Sequence, residues 1–232
     1  GQRVAGELEI TIEKLGSQNV MAFVAEPVVG ATLGAVPAVD GYFKTIREIC
    51  DHHGLLLILD EVMCGMGRTG TLFAYEQEAI APDIVCIAKG LGAGYQPIGA
   101  TICTDKIYAA IKNGSGFFQH GHTYLGHPMA AAAANAVLDV LLDDNILEKV
   151  NVMGHQFKHD LDTKFGQHTH VGDIRGRGLF YGLELVEERE TKEPFSSSYY
   201  IARKIKAIAK KRGLLCYCLL YTSDAADERC RG

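Results

Sequence analysis

An α/β fold of parallel strands linked by helices is predicted by three features of the sequence. Short, uniformly apolar runs recur in the first half of the chain, at MAFVA (21–25), LLLIL (55–59) and IVCIA (84–88). Helical patterns lie among them, as strand–helix–strand units require. Each run is also followed by an ionisable residue and then by glycines: Glu26, Asp60 and Lys89.

Taken in order, Asp40 is the predicted N-cap of a helix with apolar residues at Phe43, Ile46 and Cys50, and Gly54 stands where that helix should stop. LLLIL is too short for a helix and too uniformly apolar for a strand with one wet face, so burial on both faces is expected. IGATIC (98–103) adds a further strand. Pro128 suits a first helical turn, and MAAAAANAVLDVLLDD (129–144), apolar nearly all round, should be a buried helix. From Asn145 the texture changes to a charged amphipathic helix, then to VGDIRGRGLFYGLELV (171–186), punctuated by glycines, then to a Lys/Arg-rich helix near 197–212. This pattern divides the chain into a larger unit over 1–143 and part of a smaller α/β unit over 144–220. The strand-like LLCYCLLY (214–221) is followed by a tail, 221–232, that loses apolar periodicity and reads as non-native.

Composition excludes several function classes. The 232 residues carry 28 acidic and 23 basic side chains, a net charge of -5, with no basic block that would track a phosphate backbone, so nucleic acid is not an expected partner. No run of about 18 apolar residues exists, and no signal peptide is apparent, so a soluble cytoplasmic protein without membrane contact is expected. Seven cysteines, an odd number with no CxxC pair, and positions such as Cys86 within an apolar run favour reduced core thiols.

In open α/β sheets the carboxyl ends of the strands form the binding crevice, so Glu26, Asp60 and Lys89 are delivered to one edge. A lysine at the rim of an apolar strand is expected to be partly desolvated, which lowers its pKa and frees a neutral amine to attack a carbonyl as a Schiff base. A carboxylate on a neighbouring strand can keep a pyridine nitrogen protonated, so that the ring withdraws electrons from a substrate carbanion. The same two residues could instead form a buried ion pair that bridges strands.

The run LLLILDEVMCGMGRTGTLFAYE, then PDIVCIAKGLGAGYQPIGA, then GHTYLGHPMAAAAA, resembles the core of the class-III aminotransferases, a family of fold-type-I pyridoxal-phosphate enzymes. The resemblance spans roughly residues 20 to 220 and implies part of a three-layer, mostly parallel sheet domain and part of a small C-terminal domain. It implies that Lys89 carries pyridoxal 5'-phosphate, that Asp60 pairs with its pyridine nitrogen, and that Val62 packs on one ring face. Thr123 would bind the cofactor phosphate across a homodimer interface, and Glu26 would lie near the ring hydroxyl or the substrate. The implied reaction is ping-pong amino-group transfer from an amine or amino acid to a 2-oxo acid. Decarboxylation, aminomutation or racemisation on the same scaffold is the alternative. The family's glycine/serine phosphate loop, the aromatic residue on the other ring face and the substrate-carboxylate arginine have no counterpart in this chain, so the chain by itself is expected to be inactive.

Other motifs carry less. Gly65-Met66-Gly67-Arg68-Thr69-Gly70 spells G-x-G-x-x-G, but Asp60 and Glu61 precede it and would repel a pyrophosphate. His120, His122 and His127 lack metal-ligand spacing and read as loop histidines lining an anionic pocket, and no metal site is expected. His52 and His53 sit at a helix end, where cations are routine.

Overall fold

A computed structural model describes residues 1–217. In chain order these form helix α1 (Gln2–Leu15), strands β1 (Ala22–Ala25), β2 (Val28–Val29) and β3 (Val36–Pro37), helix α2 (Tyr42–His53), strands β4 (Leu56–Asp60), β5 (Ile84–Ile87) and β6 (Ala100–Cys103), and helices α3 (Asp105–Asn113), α4 (Pro128–Asp143) and α5 (Ile146–Phe165). Strands β7 (Val171–Arg177), β8 (Phe180–Glu188) and β9 (Glu193–Pro194) and helix α6 (Ile201–Lys211) follow. The main sheet has the order β1-β4-β5-β6; β1, β4 and β5 are mutually parallel and β6 runs antiparallel to β5. The strands β7, β8 and β9 make a separate antiparallel sheet. The run at 214–221 has no regular structure at 214–217; its remainder, the tail, Cys218 and Cys230 lie outside the described residues.

One face of the main sheet is the core. Leu57 and Leu59 are fully buried against Phe43, Ile46, Ile49 and Cys50 of α2 and Ala5 and Ile12 of α1. Each such side chain contributes about 1.5–3 kcal/mol relative to exposure. Helix α2 ends at Gly54 in the left-handed region (φ 70), as expected, but starts one residue later than expected. Gly41, itself left-handed at φ 77, occupies the N-cap position, and Asp40 lies outside it.

Two burial expectations are corrected. Strand β4 is not buried on both faces: Leu56 and Ile58 are only half-buried, and Val24 beside Ile58 is 61% exposed, because α1 and α2 both lie on the opposite face. Helix α4 buries only Ala130 and Ala134. Its 3.6-residue period turns Ala134, Leu138 and Leu141 toward Val85, Ile87 and Leu91. Met129, Val140 and Leu142 point elsewhere and are exposed. No helix of the described residues is long and apolar enough to cross a membrane.

Alternation along β4 continues past its last residue. Leu57 and Leu59 are followed on the same period of two by Glu61, which is also 0% exposed. Its carboxyl accepts the N–H of Ala74 at Oε2 (2.6 Å) and of Tyr75 at Oε1 (2.8 Å). Burial pushes this carboxyl up to about 7, against the opposing pull of those two N–H donors. Glu61 thereby closes the long loop between β4 and β5 back onto the strand end. Asp83 plays a lesser version of this part: burial raises it, but the Leu57 N–H and the Arg47 guanidinium outweigh burial and hold it below the usual carboxylate range.

The second sheet docks on the first unit through two arginines. Arg175 donates to the carbonyls of Gly34 and Leu33 and pairs with Asp173 and Glu184. Arg177 donates to the carbonyl of Ala38 and pairs with Glu78 at 2.6 Å. The turn between β7 and β8 approaches so closely that a Cβ on Gly178 would lie 2.6 Å from the Thr69 carbonyl carbon.

Replacing Glu61 by Ala leaves two buried N–H groups without acceptors and should destabilise the chain by about 2–4 kcal/mol, read from urea midpoints. Glu61→Gln keeps one acceptor and should cost less. Because the folded carboxyl binds its proton more tightly than the unfolded one, wild type should lose stability relative to Glu61→Gln as pH rises from about 4.5 to about 7. Parallel stability curves for the two proteins across that window would contradict the role of this carboxyl.

Candidate functional site

The parallel strands β1, β4 and β5 end at one edge, and the residues that end them are Glu26, one past Ala25, Asp60, and Lys89, two past Ile87. Asp60 pairs in register with Cys86, and Cys86 with Thr101 of β6. Paired residues share a face, so Asp60, Cys86 and Thr101 line the same side of the sheet, with Cys86 Sγ 3.8 Å from Thr101 Oγ1. Lys89 lies three residues beyond Cys86, about 10 Å further along the strand direction.

Asp60 is half-buried, and its Oδ1 accepts the N–H of Val62 at 3.0 Å. This bond aims the first turn after β4 and leaves Oδ2 without a hydrogen bond among the described residues. Val62 is half-buried beside it. The Lys89 side chain is exposed, so the expected desolvation at the strand rim is not provided by the described residues. No ion pair joins Lys89 to Asp60 among the described residues, which removes the reading of these two as a strand-bridging pair. The Lys89 backbone is left-handed at φ 43, a conformation that costs a non-glycine residue on the order of 1–2 kcal/mol. Such residues gather where structure serves function, and Met66 (φ 57) and Ala93 (φ 46) share the condition in the flanking loops.

Gly90, next to Lys89, serves packing. Gly90 does not leave room for a ligand: a Cβ there would sit 2.8 Å from the Met66 Cβ. Its bareness lets the loop after β4 pack against the turn that carries Lys89. No helix opens at 65–70, which confirms that the G-x-G-x-x-G match is a run of turns. Two surface hollows of about 480 and 370 Å³ are lined by neither Lys89 nor Asp60.

Glu26 reaches the same edge from β1. Its Oε2 accepts the Gly30 N–H at 2.9 Å, and a Cβ on Gly30 would meet the Met63 sulfur at 2.5 Å, so the loops after β1 and β4 touch. Beneath them Cys64 is fully buried. Burial, with the charges of Glu61 and Glu26 nearby, pushes its thiol up to about 12, which makes it inert. Thr123 does not join the group; it sits exposed in a turn before α4. His120 and His127 make ring contacts with Phe118 and Tyr124 in the same exposed segment, and the three loop histidines form no metal-binding group among the described residues. In the sequence Glu61 reads only as an acid hostile to pyrophosphate. The signal for its buried role is the continuation of the Leu57, Leu59 alternation.

An amine and a carboxylate at the ends of adjacent strands, neither with a charged partner among the described residues, are the donor set for a protonated heterocycle bearing a carbonyl. The edge fits that group, and comparison with known proteins points the same way. The family model described as "Aminotransferase class-III" matches residues 2–220. An aminotransferase of Gibberella zeae is 48% identical over 90% of this chain and 41% of its own length. The taurine–pyruvate aminotransferase of Bilophila wadsworthia is 38% identical over 93% of the chain and 47% of its own. Among solved structures, an (S)-enantioselective omega-transaminase from Thermomicrobium roseum superposes with a TM-score of 0.90 at 38% identity, covering 97% of this chain and 52% of that one. A PLP-bound amine transaminase from an uncultivated Pseudomonas species gives 0.87 at 39% identity, covering 93% and 49%. The chain spans about half the length of the relatives it matches. With the match running nearly end to end and the fold shared, this chain belongs to the class-III aminotransferase family.

Proposed function

We propose that the whole protein transfers amino groups from an amine or amino acid to a 2-oxo acid, using pyridoxal 5'-phosphate held at the edge that carries Lys89 and Asp60. The observation that supports this most is that the adjacent parallel strands β4 and β5 end at Asp60 and, two residues past Ile87, at a left-handed Lys89, with no ion pair to either among the described residues. When bound, the cofactor supplies a carbonyl for amines and a pyridinium ring that draws electrons from the substrate carbon.

Lys89 Nζ is the covalent anchor in this reading. As a free amine, Lys89 would carry a proton from the substrate carbon to the neighbouring atom. Asp60 holds a proton on the pyridine nitrogen through the oxygen that Val62 leaves free. Val62 packs on a ring face, Glu26 lies near the ring hydroxyl or the substrate, and Thr123 reaches a neighbouring subunit's cofactor phosphate, which makes the protein a homodimer. The boundary near residue 143, between two separate sheets, is the proposed division into large and small domains. Cys50, Cys64, Cys86 and Cys103 are free thiols, which suits a reducing, cytoplasmic setting.

Borohydride reduction of the cofactor-loaded whole protein, followed by peptide mass mapping, should find the pyridoxyl group on Lys89; its appearance on another lysine would defeat the assignment. Asp60→Asn should retain the fold and lower turnover by at least about 100-fold, since a neutral amide cannot keep the ring nitrogen protonated. Steady-state rates within a few-fold of wild type would remove Asp60 from this part. For Thr123, cofactor affinity should fall as the protein is diluted below its dimer dissociation constant. An active, cofactor-loaded monomer in sedimentation would refute the shared site.

A further inference from the structure

His52 and His53 have a second relation that their place at the end of α2 does not announce. Glu9 of α1 lies four residues after Ala5 and three before Ile12, on the one stripe of that helix that is buried. His53 continues the buried stripe of α2, ten residues after Phe43 and three after Cys50. The apolar seam between the two helices therefore ends in a polar pair, with His53 Nε2 2.6 Å from Glu9 Oε1 and the two side chains 15% and 34% exposed. His52 stands edge-on to His53, ring centroids 4.8 Å apart. One ligand atom from each of the three residues lies within 4.8 Å of the other two.

We propose that Glu9, His52 and His53 form a binding site for a divalent transition-metal ion of the zinc class, joining α1 to α2. Two imidazoles and a carboxylate are a donor set suited to Zn²⁺, Ni²⁺ or Cu²⁺, and not to Mg²⁺ or Ca²⁺, which take oxygen. Bonds of about 2.0–2.1 Å bring tetrahedral ligand atoms to roughly 3.4 Å from one another, so the present spread closes with small rotations of the exposed His52 and the partly exposed Glu9. The ion would take the place of the Glu9–His53 hydrogen bond, and water would complete its shell. The carbonyl end of the α2 dipole adds a favourable field for a cation. Because α2 leads into the start of β4, while Lys89 and Asp60 lie at the other end of the parallel strands, the site is structural and remote from the catalytic edge.

The test uses chelator-treated chain and ZnCl₂ alone, with MgCl₂ as control, followed by titration calorimetry and thermal unfolding. Wild type should take up Zn²⁺ at this site and melt several degrees higher with it, because an ion that binds only the folded form stabilises it. His52→Ala, at an exposed position outside the packed seam, and Glu9→Gln should each remove one equivalent or weaken it at least about tenfold, and should abolish the zinc-dependent rise in melting temperature. Any equivalents held by other histidines or cysteines would survive in both variants. Unchanged stoichiometry and affinity in His52→Ala, an equal response to Mg²⁺, or no zinc uptake at millimolar concentration would each overturn the proposal.

Discussion

The buried carboxyl of Glu61 is the constraint on which the edge of the sheet depends. Asp60 ends a strand whose next residue faces the core, and that core-facing side chain captures the N–H groups of Ala74 and Tyr75. Loop residues 62–73 are therefore tied at both ends to one strand terminus. Their positions then decide the rest: Val62 is held by Asp60, Met63 lies against Gly30 and so meets the Glu26 loop, and Met66 presses on Gly90 beside Lys89. Three loops from three strands are mutually braced, and the brace starts from a single acid.

Bracing of this kind matters because the residues involved are not comfortable on their own. A left-handed lysine and a desolvated glutamate are each unfavourable, and each persists because the surrounding backbone leaves it no alternative. Asp60 needs neither strain nor burial, since its orientation comes from the N–H two residues on. The amine and the carboxylate are thus positioned by different means, one by a constrained backbone and the other by a local hydrogen bond.

Much of this was legible in the sequence. Uniform apolar runs located β1, β4 and β5, Gly54 marked the end of α2, and the placement of Glu26, Asp60 and Lys89 at one edge followed from strand direction. What periodicity could not supply was which faces find partners. LLLIL and the alanine-rich helix read as buried all round because composition reports the capacity for burial, whereas α1, α2 and α4 cover only one side of the sheet. IGATIC located β6, but its antiparallel direction was likewise invisible, because an apolar run carries no direction. Pairings across long separations escaped for the same reason: Glu9 and His53 stand 44 residues apart, and neither carries a local mark of the other.

The arginine clasp between the two sheets has a consequence for how this protein can change over time. Arg175 and Arg177 hold Leu33, Gly34 and Ala38 by their main-chain carbonyls. A carbonyl is present whatever the side chain, so these contacts are indifferent to the identity of the residues they grip. The exposed side chain of Leu33 can drift by substitution while the docking of the second sheet stays intact. Gly34 and Gly182 are the exceptions: Gly34 is left-handed at φ 76, and a Cβ on Gly182 would fall 2.3 Å from the Gly34 oxygen. Mutational freedom at this junction is therefore lopsided, wide at Leu33 and narrow at Gly34 and on the strand residue that packs against it.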